Sequence, residues 1–87
     1  MTYDEYCEHI GGLAEQGLAA FDHDDDAALL CVAAIVDYML RYGPEVRRGL
    51  NLPSVNWDNL RETKRALSPI VDVIARRIGL PAPPMLQ

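Results

Sequence analysis

The chain has 87 residues, 49% of them apolar and 24% charged, with a net charge of −5 and a pI near 4.7. That length makes one domain with a single core, and the acidic balance disfavours non-specific nucleic-acid binding by the whole molecule. A chain this short buries only about 60–65% of its unfolded surface, so a partner or a second copy would add needed burial.

The charge is unevenly placed. The first forty residues carry nine acids and no Lys or Arg; all eight basic residues lie from Arg41 onward, against four acids, so the halves are −9 and +4. Such a chain can satisfy itself, pair head to tail with a copy, or offer one face to an oppositely charged partner. The pattern points to association rather than chemistry. The N-terminus, Met1-Thr2-Tyr3-Asp4-Glu5, is acidic where a secretory signal is basic. The longest apolar run, Ala27 to Leu40, is about 14 residues and contains Asp37, short and costly for a membrane span. Cys7 and Cys31 stand alone, with no C-x-x-C. The expectation is a reduced, cytoplasmic protein with no membrane contact.

Thr2-Tyr3-Asp4-Glu5 has the form of a capping box. Tyr3, Tyr6, Cys7, Ile10, Leu13, Ala14, Gly17, Leu18 and Phe21 then recur at helical spacing, which predicts a first helix over 3–21. The cluster Asp22-His23-Asp24-Asp25-Asp26 separates it from a second helix over 25–42; aspartate caps helices and complements the positive end of the dipole. The large aliphatics of that helix, Leu29 to Leu40, fall on one arc, as in a central helix or one that meets another subunit. Gly43-Pro44 reads as its stop, followed by a short helical turn near 44–48. Ser54 or Asn56 is expected to cap a third helix over 56–78, with Trp57, Leu60, Leu67, Val71, Ile74 and Ile78 on one face. Pro69 kinks that helix or, alternatively, breaks it at Ser68-Pro69. Gly79-Leu80-Pro81 has the form of a Schellman stop. Residues 81–87 are expected to be an extended, proline-rich tail beside a single helical domain of 1–80.

These elements predict an all-α, antiparallel three-helix bundle. Pairing the first two helices outward from Asp24 sets Tyr6 by Tyr42, Ile10 by Tyr38 and Gly17 by Cys31, gathering Tyr3, Tyr6, Tyr38 and Tyr42 at the open end. It keeps Cys7 and Cys31 too far apart for a disulfide. Asp37 and Arg41 read as a buried ion pair.

Candidate sites are few. Asp22, Asp24, Asp25 and Asp26 form an acidic loop, but an EF-hand needs Gly at the sixth position and Glu at the twelfth, where Ala27 and Ala33 stand. Cys7, Glu8 and His9 are consecutive and diverge on a helix, and Cys31 and His23 lie along the hairpin, so no metal site is expected. No Cys-His pair, phosphate loop or serine nucleophile motif is present, so no catalysis and no cofactor are expected.

The run Gly49-Leu50-Asn51-Leu52-Pro53-Ser54-Val55, with Arg61, Lys64 and Arg65 on the next helix, resembles the turn of helix-turn-helix repressors. It departs from that pattern at Glu45 and Asp58. The resemblance implies a DNA-binding regulator using the basic half, as the alternative reading. The preferred reading is a small acidic module that binds another protein with a basic surface, as inhibitor, adaptor or assembly partner. Its surfaces would be the acidic loop (Asp22, Asp24, Asp25, Asp26) and the tyrosine end (Tyr3, Tyr6, Tyr38, Tyr42). In size and charge it is similar to bacteriocin immunity proteins and phage anti-defence inhibitors. A homodimer through the second or third helix is the companion expectation.

Overall fold

A computed structural model describes residues 1–79 of the chain. The described part is all-α: α1 spans Tyr3–Ala20, α2 Asp25–Val46 and α3 Trp57–Arg77. α1 packs on α2 and α2 on α3, so α2 is the shared central helix of an elongated molecule of 42 × 26 × 20 Å. The expected tail over 81–87, the domain limit at residue 80 and the position of Leu80 after Gly79 lie outside the described residues.

Each helix starts where a side chain takes up its first free amides. In α1 the capping box is complete: the Glu5 amide donates to Thr2 Oγ1 (3.2 Å) and the Thr2 amide to Glu5 Oε1 (3.0 Å). The backbone amide of Thr2 holds the Glu5 carboxyl below its ordinary range. Asp24 caps α2 by accepting from the Ala27 amide (3.1 Å), and Asn56, rather than Ser54, caps α3 by accepting from the Asn59 amide (3.1 Å). Gly79 follows α3 with φ +78°, the left-handed conformation expected after a helix end.

The stop expected at Gly43-Pro44 does not occur, and at Pro69 the helix is continuous, as preferred, rather than broken as in the alternative. α2 continues through Gly43-Pro44 to Val46, absorbing the short turn expected near 44–48. Gly43 is not a terminator: it is buried where three elements meet. A Cβ there would lie 2.8 Å from the Trp57 ring and 2.9 Å from the Tyr6 hydroxyl. Packing against both aromatics outweighs the hydrogen bond that Pro44 cannot make to the Leu40 carbonyl. α3 likewise runs unbroken through Pro69. The preceding turn is supported by the Ser68 hydroxyl, which donates to the Lys64 carbonyl at 2.8 Å.

The registers are antiparallel. Gly43 lies against Trp57, Asp37 against Lys64 and Asp26 against Arg77 along α2 and α3. Gly17 meets Cys31 as expected, a Cβ on Gly17 falling 3.2 Å from the Cys31 Cβ. Tyr6 stacks on Tyr38 (5.7 Å between centroids) instead of the expected Tyr42, one turn away. The core is thin: Tyr6, Ala33, Val36, Val71, Ile74 and Ala75 are buried, together with Gly43 and Asp37. Ile78, placed on the core face of α3 by its spacing, is 50% exposed because the helix has already ended at Arg77.

Asp37 is the buried charge at the middle of α2, 5% exposed. Its expected partner, Arg41, is the more distant one at 3.5 Å and is itself half exposed. The closer partner comes from α3: Lys64 Nζ stands 2.7 Å from Oδ1. The ammonium approaches outside hydrogen-bonding angles, so the contact is ionic and leaves Oδ1 without a directed hydrogen bond. By length and composition α2 could cross a membrane, with 22 residues and a window of mean hydropathy 1.3. It is longer than the expected apolar run because it continues past Gly43-Pro44. In this fold its two flanks serve α1 and α3.

Candidate functional site

The closed end of the α1–α2 hairpin carries the two most exposed large apolar side chains among the described residues, Leu18 and Phe21, with Val32 nearby. Leu18 is 75% exposed, Phe21 66% and Val32 46%. They border a groove of about 330 Å³ between the two helices, lined by Leu13, Ala14, Gly17, Leu18, Phe21, Ala28, Cys31, Val32 and Ile35. The shape follows from residue size. Gly17, Ala14, Ala28 and Cys31 let the helices close and form the floor, while Leu18, Phe21, Val32 and Ile35 rise as walls. α3 packs elsewhere on α2, against Leu29 and Leu40, and leaves this groove open.

The sequence-predicted acidic loop adjoins the groove, but its members divide by role. Asp24 is committed to capping α2. Asp26 pairs with Arg77 across the helices at 2.9 Å. Asp22 and Asp25 are exposed, Asp22 directly after Phe21 and Asp25 one turn before Ala28. Glu15, also exposed, stands one turn before Leu18. The groove lining therefore carries no charge, while exposed acids neighbour its lining residues along both helices.

The tyrosine end is brought together as expected, but as packing rather than open surface. Tyr6 is 4% exposed and Tyr3, Tyr38 and Tyr42 are half-buried. Their rings lie 4.7–6.0 Å apart in sequence Tyr3–Tyr6–Tyr38–Tyr42, and His9 stacks on Tyr38 at 4.1 Å. The Tyr38 hydroxyl donates to Met1 Sδ (3.3 Å). Burial pushes the Tyr6 hydroxyl above its ordinary pKa, against the opposite pull of Arg47. Tyr3 is also raised, in its case by the Cys7 side chain beside it.

Arg61, Lys64 and Arg65 share one cleft of about 420 Å³ between α2 and α3, with Leu40, Pro44, Trp57 and Ser68. Lys64 is drawn to Asp37 and Arg61 pairs with Asp58. The segment resembling a helix-turn-helix turn is a connection of ten residues, 47–56, where that motif uses three or four. Arg47 donates to the Pro53 carbonyl and fixes this connection to the end of α2. Cys7 and Cys31 are free thiols, the first exposed and the second half-buried. Among the described residues no three His, Cys, Asp or Glu side chains converge.

The groove walls, Leu18, Phe21 and Val32, escaped sequence reasoning. Their spacing marks them as apolar-face residues, and only the placement of α3 decides that no element among the described residues covers them. No protein family, curated protein or solved structure matches this chain.

Proposed function

We propose that the protein is a binding module, without catalysis, whose acidic α1–α2 hairpin docks a basic surface of another protein in a reducing cytoplasm. It would act as an inhibitor, adaptor or assembly partner. The observation that carries this reading is the exposure of Leu18, Phe21 and Val32 around an apolar groove, with the exposed acids Glu15, Asp22 and Asp25 close to its lining residues in the chain. Covering Leu18 and Phe21 would contribute roughly 1.5–3 kcal/mol each, and no element among the described residues does so. An apolar groove with acids nearby fits an amphipathic helix that carries basic residues beside its apolar stripe. Asp22 and Asp25 are the acids free to read that charge, since Asp24 and Asp26 serve the fold.

The test is capture of partner proteins on the immobilised chain, compared among the wild type, Leu18→Ser/Phe21→Ser and Asp22→Asn/Asp25→Asn. Loss of the same partner in both variants, with unchanged helical circular dichroism, is expected. Equal capture by all three would sink the reading.

One observation favours a second reading. Arg61, Lys64 and Arg65 line a single cleft with Trp57 at its side, an arrangement that suits phosphates and a stacked base. A gel shift at low salt that disappears on changing Arg61 and Arg65 to Ala would support nucleic-acid binding. No shift at low salt would remove it.

A further inference from the structure

The partner chemistry that the groove calls for is present in this chain. On α3, Ile70 is 45% and Val73 51% exposed, and Ile78 just beyond the helix is 50% exposed. Arg76 and Arg77 stand three and four residues after Val73, one turn along the same helix. The C-terminal half of α3 thus presents an apolar stripe with basic residues beside it. The groove, on another side of α2, presents apolar walls with Glu15, Asp22 and Asp25 beside them. The Asp26–Arg77 pair places both surfaces at the same end of the molecule.

We infer that the occupant of the groove is a second copy of the chain, with the C-terminal half of α3 from each copy lying in the α1–α2 groove of the other. This rests on the reading of the groove as a protein-docking site and names its partner. A closed pair requires one two-fold axis that makes both contacts at once, residue i on j and j on i. The reciprocal arrangement gathers Leu18, Phe21, Val32, Ile70, Val73 and Ile78 into one interface, toward the roughly 800 Å² per partner that a stable dimer buries. The charges match in sign across it. Arg76 and Arg77 already pair with Asp72 and Asp26, but these arginine side chains are 77% and 62% exposed. Exposed pairs of that kind are weak, so re-aiming them at a neighbouring copy costs little.

Molar mass by light scattering on the full chain tests this. The wild type should give twice its 9.7 kDa. Leu18→Ser/Phe21→Ser and Ile70→Ser/Val73→Ser should each halve the mass, one from either side of the contact. Reversing the acids beside the groove (Glu15→Lys/Asp22→Lys) or the α3 cations (Arg76→Glu/Arg77→Glu) should also halve it. Combining the two reversals in one chain should restore the dimer, which no merely destabilising change would do; helical circular dichroism checks the fold of each variant. A monomeric wild type, a folded quadruple variant that stays monomeric, or a dimer indifferent to Ile70→Ser/Val73→Ser would each overturn the inference. A monomeric wild type whose partner capture is still lost in Leu18→Ser/Phe21→Ser would overturn the second copy alone and leave the docking reading standing.

Discussion

The two ends of the molecule treat similar side chains in opposite ways. At the open end, Tyr6 is buried, stacks between Tyr3 and Tyr38, and meets Trp57 over a glycine that leaves room for no side chain. At the closed end, Leu18, Phe21, Val32, Ile70 and Val73 stand 45–75% exposed around two grooves, with Ile78 half exposed beyond them. The difference is one of coverage. At the open end three helices converge, so aromatic surface is spent within the chain. At the closed end α1 and α3 sit on different sides of α2 and neither covers the other's outer apolar residues. A thin core together with uncovered apolar walls is what a module completed by association should show.

The largest effect that can sharpen this contrast lies within the closed end itself. Ile74→Ala removes a side chain only 2% exposed and should cost about 2–5 kcal/mol, read as a fall in the urea midpoint. Val73→Ala, at the next residue, should change the stability of the monomer by less than about 0.5 kcal/mol. Comparable losses at the two positions would erase the distinction between core and uncovered face.

Next comes the charge at the centre. Lys64→Met leaves Asp37 buried with only the more distant Arg41, and should cost about 1–3 kcal/mol. Adding Asp37→Leu should recover most of that, because a well-packed apolar pair replaces a buried ionic one at little net cost. No loss in the single variant would mean that Arg41 suffices to hold the carboxylate.

At the open end, Gly43→Ala should cost about 1–2 kcal/mol net. Overpacking against Trp57 and Tyr6 opposes a gain of up to about 1 kcal/mol in helix propensity. Gly17→Ala, where the new Cβ would meet the Cys31 Cβ at 3.2 Å, is the milder counterpart at the closed end and should fall near zero. Equal costs would show that the two ends are packed alike.

Alkaline pH also separates the ends. The Tyr6 pKa is raised above its ordinary 10.0 in the folded chain, so the unfolded chain ionises first. Its contribution is complete below pH 10.0 and is lost as pH rises toward the folded value. The wild-type denaturation midpoint should decline through that window, and Tyr6→Phe should flatten the decline; an unchanged slope would remove Tyr6 as its source. The smallest effect is expected for Leu18→Ser/Phe21→Ser, within about 0.5 kcal/mol of the wild type by thermal melting of the monomer. A large loss would mean that the walls belong to the core after all.

Much of this was legible in the residues. The capping box at Thr2, the cap at Asp24, the helical spacing of all three elements and the meeting of Gly17 with Cys31 all follow from local rules. Gly43-Pro44 misleads because its local reading, a stop, competes with a tertiary fact. Tyr6 and Trp57, 37 and 14 residues away in the sequence, converge on Gly43 and keep the helix going. Asp37 was readable as a buried charge, but its nearest partner comes from another helix, and register between helices is not written in either one alone. The acidic loop was legible as a cluster and not as a division of labour, since capping and pairing are settled by geometry. The apolar groove was least legible, because the face that α3 leaves uncovered depends on where α3 lies.

The placement of α2 between its two neighbours also sets the order in which the molecule opens. The two extensive helix contacts join elements adjacent in the chain, α1 with α2 and α2 with α3, so the fold is chiefly two hairpins that share one arm. Loops closed in forming them are short, which places folding in the fast, low-contact-order regime of helical proteins. Either outer helix can peel away while the other hairpin persists, but α2 is released only when both have gone. Its central amides are therefore the last to exchange with solvent, and the outer turns of α1 and α3 the first.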